Sequence, residues 1–196
     1  MSRRIVEPAL AVPPLAIEPV YSTWYTFIQD VNAEVIESEA ALAVPMGCGS
    51  VFIDDGWKQL AVGRGYQGCG DWVPDTDKFP DLLAHIRRVR ALGAGVVLWV
   101  APLLLGTDSD AYADLAEYAP LRRTPTDCFI LDPRHRTVRE HLADVCLRLV
   151  TDYGSTASRS TSWTWRCATR ARRHGLSLSK ALRQAQGASA EAVPAI

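Results

Sequence analysis

The stretch Val51-Phe52-Ile53-Asp54-Asp55-Gly56-Trp57 decides how this chain is read. Residues 47–53 form a short run that closes on Val, Phe and Ile, the composition of a strand buried on both faces. The run breaks off into two carboxylates, a glycine and an indole. Polar side chains therefore gather at the C-terminal end of a buried strand.

Working outward, strands and helices alternate. Residues 95–100, Gly-Val-Val-Leu-Trp-Val, form a second continuous apolar run, and Ala101-Pro102 end it. Residues 21–28 are aromatic and β-branched, which predicts a strand. Asn32 is placed to cap a helix to Val44, with Val35, Ile36 and Leu42 apolar and Glu34, Glu37 and Glu39 solvated. Pro80 suits the first turn of a helix that reaches Leu92, and Gly93 is placed to end it. Residues 108–118 read as helical and 129–131 as a short strand. Thr137 and Glu140 have capping-box spacing for a helix to Tyr153, with Gly154 at its C-cap. This alternation means an α/β fold with a parallel sheet. Doubly wound sheets and (β/α)8 barrels both fit, and both place functional side chains at strand C-termini.

Composition bounds the rest. At 196 residues the length fits one ordinary domain, and no long uncharged apolar run suggests a membrane span. Arg3 and Arg4 are followed by Glu7 and by Pro8, Pro13, Pro14 and Pro19, which is no secretory pattern; a cytoplasmic location is expected. Residues 1–20 read as a linker or the remnant of an upstream domain. Five widely spaced cysteines with no C-x-x-C pair point to reduced thiols rather than zinc. His85, His135, His141 and His174 match no metal spacing, and Gly63, Gly65, Gly68 and Gly70 open no phosphate-binding helix.

The net charge of −1 hides two unequal parts. Residues 1–154 carry 14 Lys/Arg against 21 Asp/Glu; residues 155–196 carry 7 against 1. The basic arginines lie in no nucleic-acid-binding pattern, so no nucleic-acid partner is expected. Both charge and hydrophobic pattern change at Gly154.

Asp54 and Asp55 admit two readings. Adjacent carboxylates can accept the hydroxyl donors of a sugar through charge-assisted bonds, beside an indole platform. They can equally form a surface Asp-Asp-Gly turn next to a packing Trp, the commoner use of Asp-Gly. Trp99 fits core packing. For Trp72, in a Gly-rich loop, sugar stacking and packing are both open.

Five segments together resemble the melibiase-type α-galactosidases of glycoside hydrolase family 36. They are STWYTFIQDV at 22–31, VFIDDGW at 51–57, GDWVPDTDKFPDLL at 70–83, GVVLWVAPLLL at 95–105 and LDPRHRTVREHLADVCLRLVTDYG at 131–154. The resemblance covers residues 21–154. It implies the first half of a (β/α)8 barrel and a retaining mechanism with two carboxylates. It matches Asp54 and Asp55 to the aspartates that bind galactose hydroxyls and Trp72 to the sugar-pocket indole, with an α-galactoside as substrate. It implies no metal or organic cofactor, and places neither catalytic carboxylate within the matched residues. A galactosyl transferase of raffinose-synthase type and an α-N-acetylgalactosaminidase are alternatives within the family; a half-barrel remnant and a weak galactose binder are the non-enzymatic ones.

Such enzymes carry the nucleophile in a DGLKxD-like segment just after Asp-Tyr-Gly. Here Tyr153-Gly154 is followed by STASRSTSWTWRCATR, which has no carboxylate and no apolar strand pattern. Adding one nucleotide after the Gly154 codon, with permitted codons throughout, re-reads this run as (L/F)DGLKVDFLDLAMRYE. Codon choice is free at most positions, but the Trp163-Thr164 pair forces an aspartate. The expectation is a frameshift near codon 155, a basic tail over 155–196 without stable structure, and an inactive chain.

Overall fold

The computed structural model describes residues 17–123 and 128–160. The elements in chain order are β1 (Val20–Ser22), α1 (Trp24–Phe27), α2 (Ala33–Ala43), β2 (Ser50–Ile53), α3 (Leu82–Ala91), β3 (Gly95–Val100), β4 (Leu104–Gly106), α4 (Ala111–Leu115), β5 (Leu121–Arg123), β6 (Cys128–Ile130), α5 (Arg136–Thr151) and β7 (Ala157–Ser160). A 3-10 turn at Ala116–Tyr118 extends α4. Among the described residues, no helix is long and apolar enough to cross a membrane.

The main sheet has the order β1-β2-β3-β7, all parallel. Each strand pairs with the one before it in this series, and the order never reverses. A doubly wound sheet reverses at a switch point; sequential winding is how a barrel wall is built. The two continuous apolar runs make the centre. Val51 lies opposite Val96, Phe52 opposite Val97 and Ile53 opposite Leu98. Val51, Ile53, Val96 and Leu98 are fully buried. Ile36 and Ala40 of α2 and Ile86 and Val89 of α3 close over the sheet in the same core.

Both connecting helices start on side-chain caps. The Asn32 carboxamide oxygen accepts from the Val35 amide at 2.9 Å, as the sequence predicts. Asp81 does the same for Ala84 at 2.8 Å, so Pro80 precedes the cap instead of opening the first turn. The two helices are tied by Glu37, whose Oε1 takes His85 Nδ1 at 2.8 Å and Arg88 Nε at 2.9 Å.

Four other expectations change. The strand expected over 21–28 stops at Ser22: the Thr23 hydroxyl turns to accept the Asp54 amide, and residues 24–27 coil into α1. The strand expected at 129–131 joins no parallel sheet. As β6 (Cys128–Ile130) it is the centre of a small antiparallel sheet, β4-β6-β5, over a second core of Leu103, Leu105, Leu115, Leu131, Val138 and Leu142. The predicted capping box does not form, because α5 begins before Thr137 and Glu140 instead binds Arg136 at 2.7 Å.

Residues 157–160, where the sequence offers no apolar strand, form β7 beside β3. The backbone carries this pairing. Gly154, at φ +71°, turns the chain out of α5. The Thr156 amide then donates to the Val96 carbonyl at 2.8 Å, and its hydroxyl accepts from the Val96 amide at 3.1 Å. The expected linker over 1–20 falls almost wholly outside the described residues; of the tail expected over 155–196 without stable structure, 157–160 form β7 and the residues beyond 160 lie outside the described ones.

Leu98→Ala should cost about 2–5 kcal/mol, the usual range for emptying a packed core site; urea unfolding checks it. Burial also lowers the His85 pKa despite Glu37 beside it. A histidine held neutral in the fold gives up stability as pH falls below its unfolded value near 6.5. The urea midpoint should therefore drop between pH 7 and pH 5, and less steeply in His85→Gln.

Candidate functional site

The site lies where β1, β2 and β3 end. Asp54 and Asp55 leave β2 directly, and Gly56 lets the chain turn at once. A Cβ at Gly56 would stand 2.8 Å from a Val31 methyl and 3.0 Å from the Gln29 backbone, so no larger residue fits. The Trp57 indole then enters the core, donating from Nε1 to the Trp99 carbonyl at 2.8 Å. Trp57 is fully buried and meets Tyr153 edge-on at 6.0 Å.

The two aspartates differ. Asp54 is half-buried; its amide donates to Thr23 and its Oδ1 accepts the Asp55 amide at 2.7 Å. Asp55 is 1% exposed. Its Oδ2 accepts from Gln29 Nε2 at 2.7 Å, and its Oδ1 stands 3.8 Å from Lys58 Nζ. Burial raises the Asp55 pKa, opposed chiefly by the charge of Lys58 and the Gln29 bond. The surface-turn reading therefore fails for Asp55, which is buried with Gln29 bonded to one oxygen and Lys58 near the other.

Trp72 is also 1% exposed, with a positive φ of 54° that only a fixed loop sustains in a residue of this size. The loop is fixed from two sides. The Asp71 carboxylate accepts the Asp110 and Ala111 amides at 2.9 and 2.8 Å, and its carbonyl accepts from Arg148 Nη2 of α5 at 2.7 Å. Of the two readings of Trp72, the described conformation shows packing: Trp99 meets its ring at 5.6 Å, and Lys58 Nζ lies 5.8 Å from its centroid. Trp99 packs in the core as expected.

Asp55 and Trp72 are thus brought together through Lys58, with Asp54 at the rim. The sequence reading missed Lys58, Gln29 and Lys78. Lys58 follows the quoted motif directly and stands three residues from Asp55, but a lysine beside a tryptophan ordinarily signals a solvated side chain. Lys78 Nζ donates to the carbonyls of Gln29, Gly56 and Ala61 at 3.0, 3.3 and 3.3 Å, pinning the loops. Asp55 Oδ1, Lys58 Nζ, Trp72 Nε1 and Trp99 Nε1 are buried without a hydrogen-bond partner. Asp55 Oδ1 as a strong acceptor and the two indole N–H groups as donors are of the kind that suits a hydroxylated ligand. Among the described residues, no group of three or more His, Cys, Asp or Glu could hold a metal.

The chain is similar to known proteins over much of its length. An α-galactosidase of Escherichia coli is 33% identical over 104 residues, covering 51% of this chain and 14% of its own length. A probable α-galactosidase C of Aspergillus flavus is 32% identical over 105 residues, covering 48% of this chain and 14% of its own. The solved α-galactosidase of Geobacillus stearothermophilus in complex with raffinose superposes with a TM-score of 0.66 at 23% identity, over 73% of this chain and 21% of that one. The chain thus spans about a seventh of the length of these curated relatives. The family model described as Melibiase matches residues 4–125, more than half of the sequence, and the chain belongs to the melibiase family.

Proposed function

We propose that this chain carries the galactoside-binding front of an α-galactosidase barrel without the groups that cut the glycosidic bond. The observation that supports it is the composition of β7. This strand stands beside β3, next in the winding order. In a barrel of this type, the strand after Asp-Tyr-Gly delivers the nucleophile. Here it reads Ala157-Ser158-Arg159-Ser160, with no carboxylate.

A retaining glycosidase needs two carboxyl groups about 5 Å apart across the scissile bond. Asp54 and Asp55 do not serve as that pair. Asp55 is sealed between Gln29 and Lys58, and Asp54 is spent partly on the Asp55 amide. Their place at the end of β2, with Trp72 close by, supports hydroxyl binding to a terminal α-galactoside of the melibiose or raffinose kind. A frameshift after Gly154 accounts for the change: the lost nucleophile codon would straddle those of Ser160 and Thr161. On this reading the chain is the first half of a barrel, and its location is cytoplasmic.

The purified chain should release no 4-nitrophenol from 4-nitrophenyl α-D-galactoside above a protein-free blank, whereas turnover of order 1 s⁻¹ or more, ordinary for an enzyme, would refute the reading. The frameshift has its own test. The nucleotides after codon 154 should continue, in the shifted frame, with a barrel-like sequence; an early stop there removes the explanation.

A further inference from the structure

Lys58 is the most anomalous side chain in the described structure. Its ammonium is 1% exposed and reaches no hydrogen-bond acceptor. Its one charged neighbour within ion-pairing distance is Asp55, also 1% exposed, at 3.8 Å. That distance is too long for a hydrogen bond. A buried ion pair offsets its desolvation only when geometry is tight and remaining valences are filled, and here neither holds. The same ammonium lies over the Trp72 ring. Lys58 therefore sits between the carboxylate and the indole expected to hold a sugar, touching both and satisfied by neither.

We propose that Lys58 is an internal occupant of the galactoside site, so that a sugar binds only by displacing it. This rests on the galactoside reading given above. The sealed cluster accounts for the arrangement. Beside Lys58, Asp55 Oδ1 and Nε1 of the Trp72 ring that it covers are left without hydrogen-bond partners, and hydroxyl groups could satisfy both. Lys58 covers the acceptor and part of the ring but supplies no acceptor for the indole N–H. The backbone on either side is held, Gly56 and Ala61 by Lys78 and the Gln59 amide by the Val73 carbonyl, so the displacement is a swing of the Lys58 side chain alone. The occupied site is the resting state, and the open state is a minor one that the sugar selects.

The apparent affinity of a site that is open only part of the time falls by the open fraction. Removing the occupant should restore it. Lys58→Ala and Lys58→Ser should each bind methyl α-D-galactoside about tenfold more tightly than the unaltered chain, the gain expected if the site is open about a tenth of the time. Isothermal calorimetry reads this directly. Asp55→Asn combined with Lys58→Ala should lose the gain.

A second measurement uses the unaltered chain, in case the variants fail to fold. Displacement moves Lys58 into solvent, so its acetylation by an amine-reactive ester, mapped by mass spectrometry, should rise severalfold at saturating sugar. Lys78, held on three carbonyls, is the internal control. If the sugar binds while Lys58 labelling stays level or falls, Lys58 is a contact or a bystander and this inference fails alone. Folded Lys58 variants that bind no more tightly than the unaltered chain also overturn it. If neither the unaltered chain nor a folded variant binds, the galactoside reading fails with it. Should neither variant fold, the labelling of the unaltered chain decides, and no rise overturns the proposal.

Discussion

Parallel pairing of β2 with β3 is the constraint on which the remaining structure depends. Four residue pairs, from Ser50 opposite Gly95 to Ile53 opposite Leu98, set the two strands in register. Their buried faces give α2 and α3 a surface to cover. Their ends also fix where chemistry can sit. Because Ile53 ends β2 level with Leu98, the turn after β2 lies beside Trp99 and Val100, the last two residues of β3. The Trp57 indole can then reach the Trp99 carbonyl. A slip of one residue would reverse the faces of β2 and send Phe52, instead of its neighbours, to the other side.

The site is held less by any single strong contact than by loops that pin one another. Lys78 gathers three carbonyls from three turns. Asp71 anchors the start of α4, and Arg148 anchors Asp71. Gln29 bridges Asp55 and the Arg64 amide. These are charge-assisted or buried polar links, each directional, so they fix geometry where apolar packing alone would leave freedom. The cost is a set of buried polar atoms with unmet valences, a pattern that concentrates at functional sites.

Much of this was legible in the sequence because the relevant signals are local. Continuous apolar runs marked β2 and β3 to within a few residues, and Asn32 marked the start of α2. Asp54 and Asp55 marked the end of β2, but the motif alone read as readily as a surface turn. What escaped depended on distant partners. Thr23 ends β1 because the Asp54 amide needs an acceptor, which no reading of residues 21–28 reveals. The position of Lys58 follows from Asp55 and Trp72 packing around it. Strand β7 has no hydrophobic signature; it exists because β3 presents an unpaired edge and Ser155 and Thr156 can engage Val96. The strand read over 129–131 is β6 displaced by one residue, but nothing local distinguishes an antiparallel excursion from a wall strand.

The strictly sequential order of the main sheet has a consequence for synthesis. Strands β2 and β3 each pair with the wall strand made before them, and β7 adds to β3 after the small antiparallel sheet has been made, so pairing proceeds in the direction of translation. The connections from β1 to β2 and from β2 to β3 are short enough to keep the ends to be joined close along the chain, which speeds closure. Growth of this kind is vectorial: strands β1 to β3 and the rim they carry can assemble as the chain leaves the ribosome. Whatever the reading frame delivers after Gly154 arrives at a scaffold already laid down.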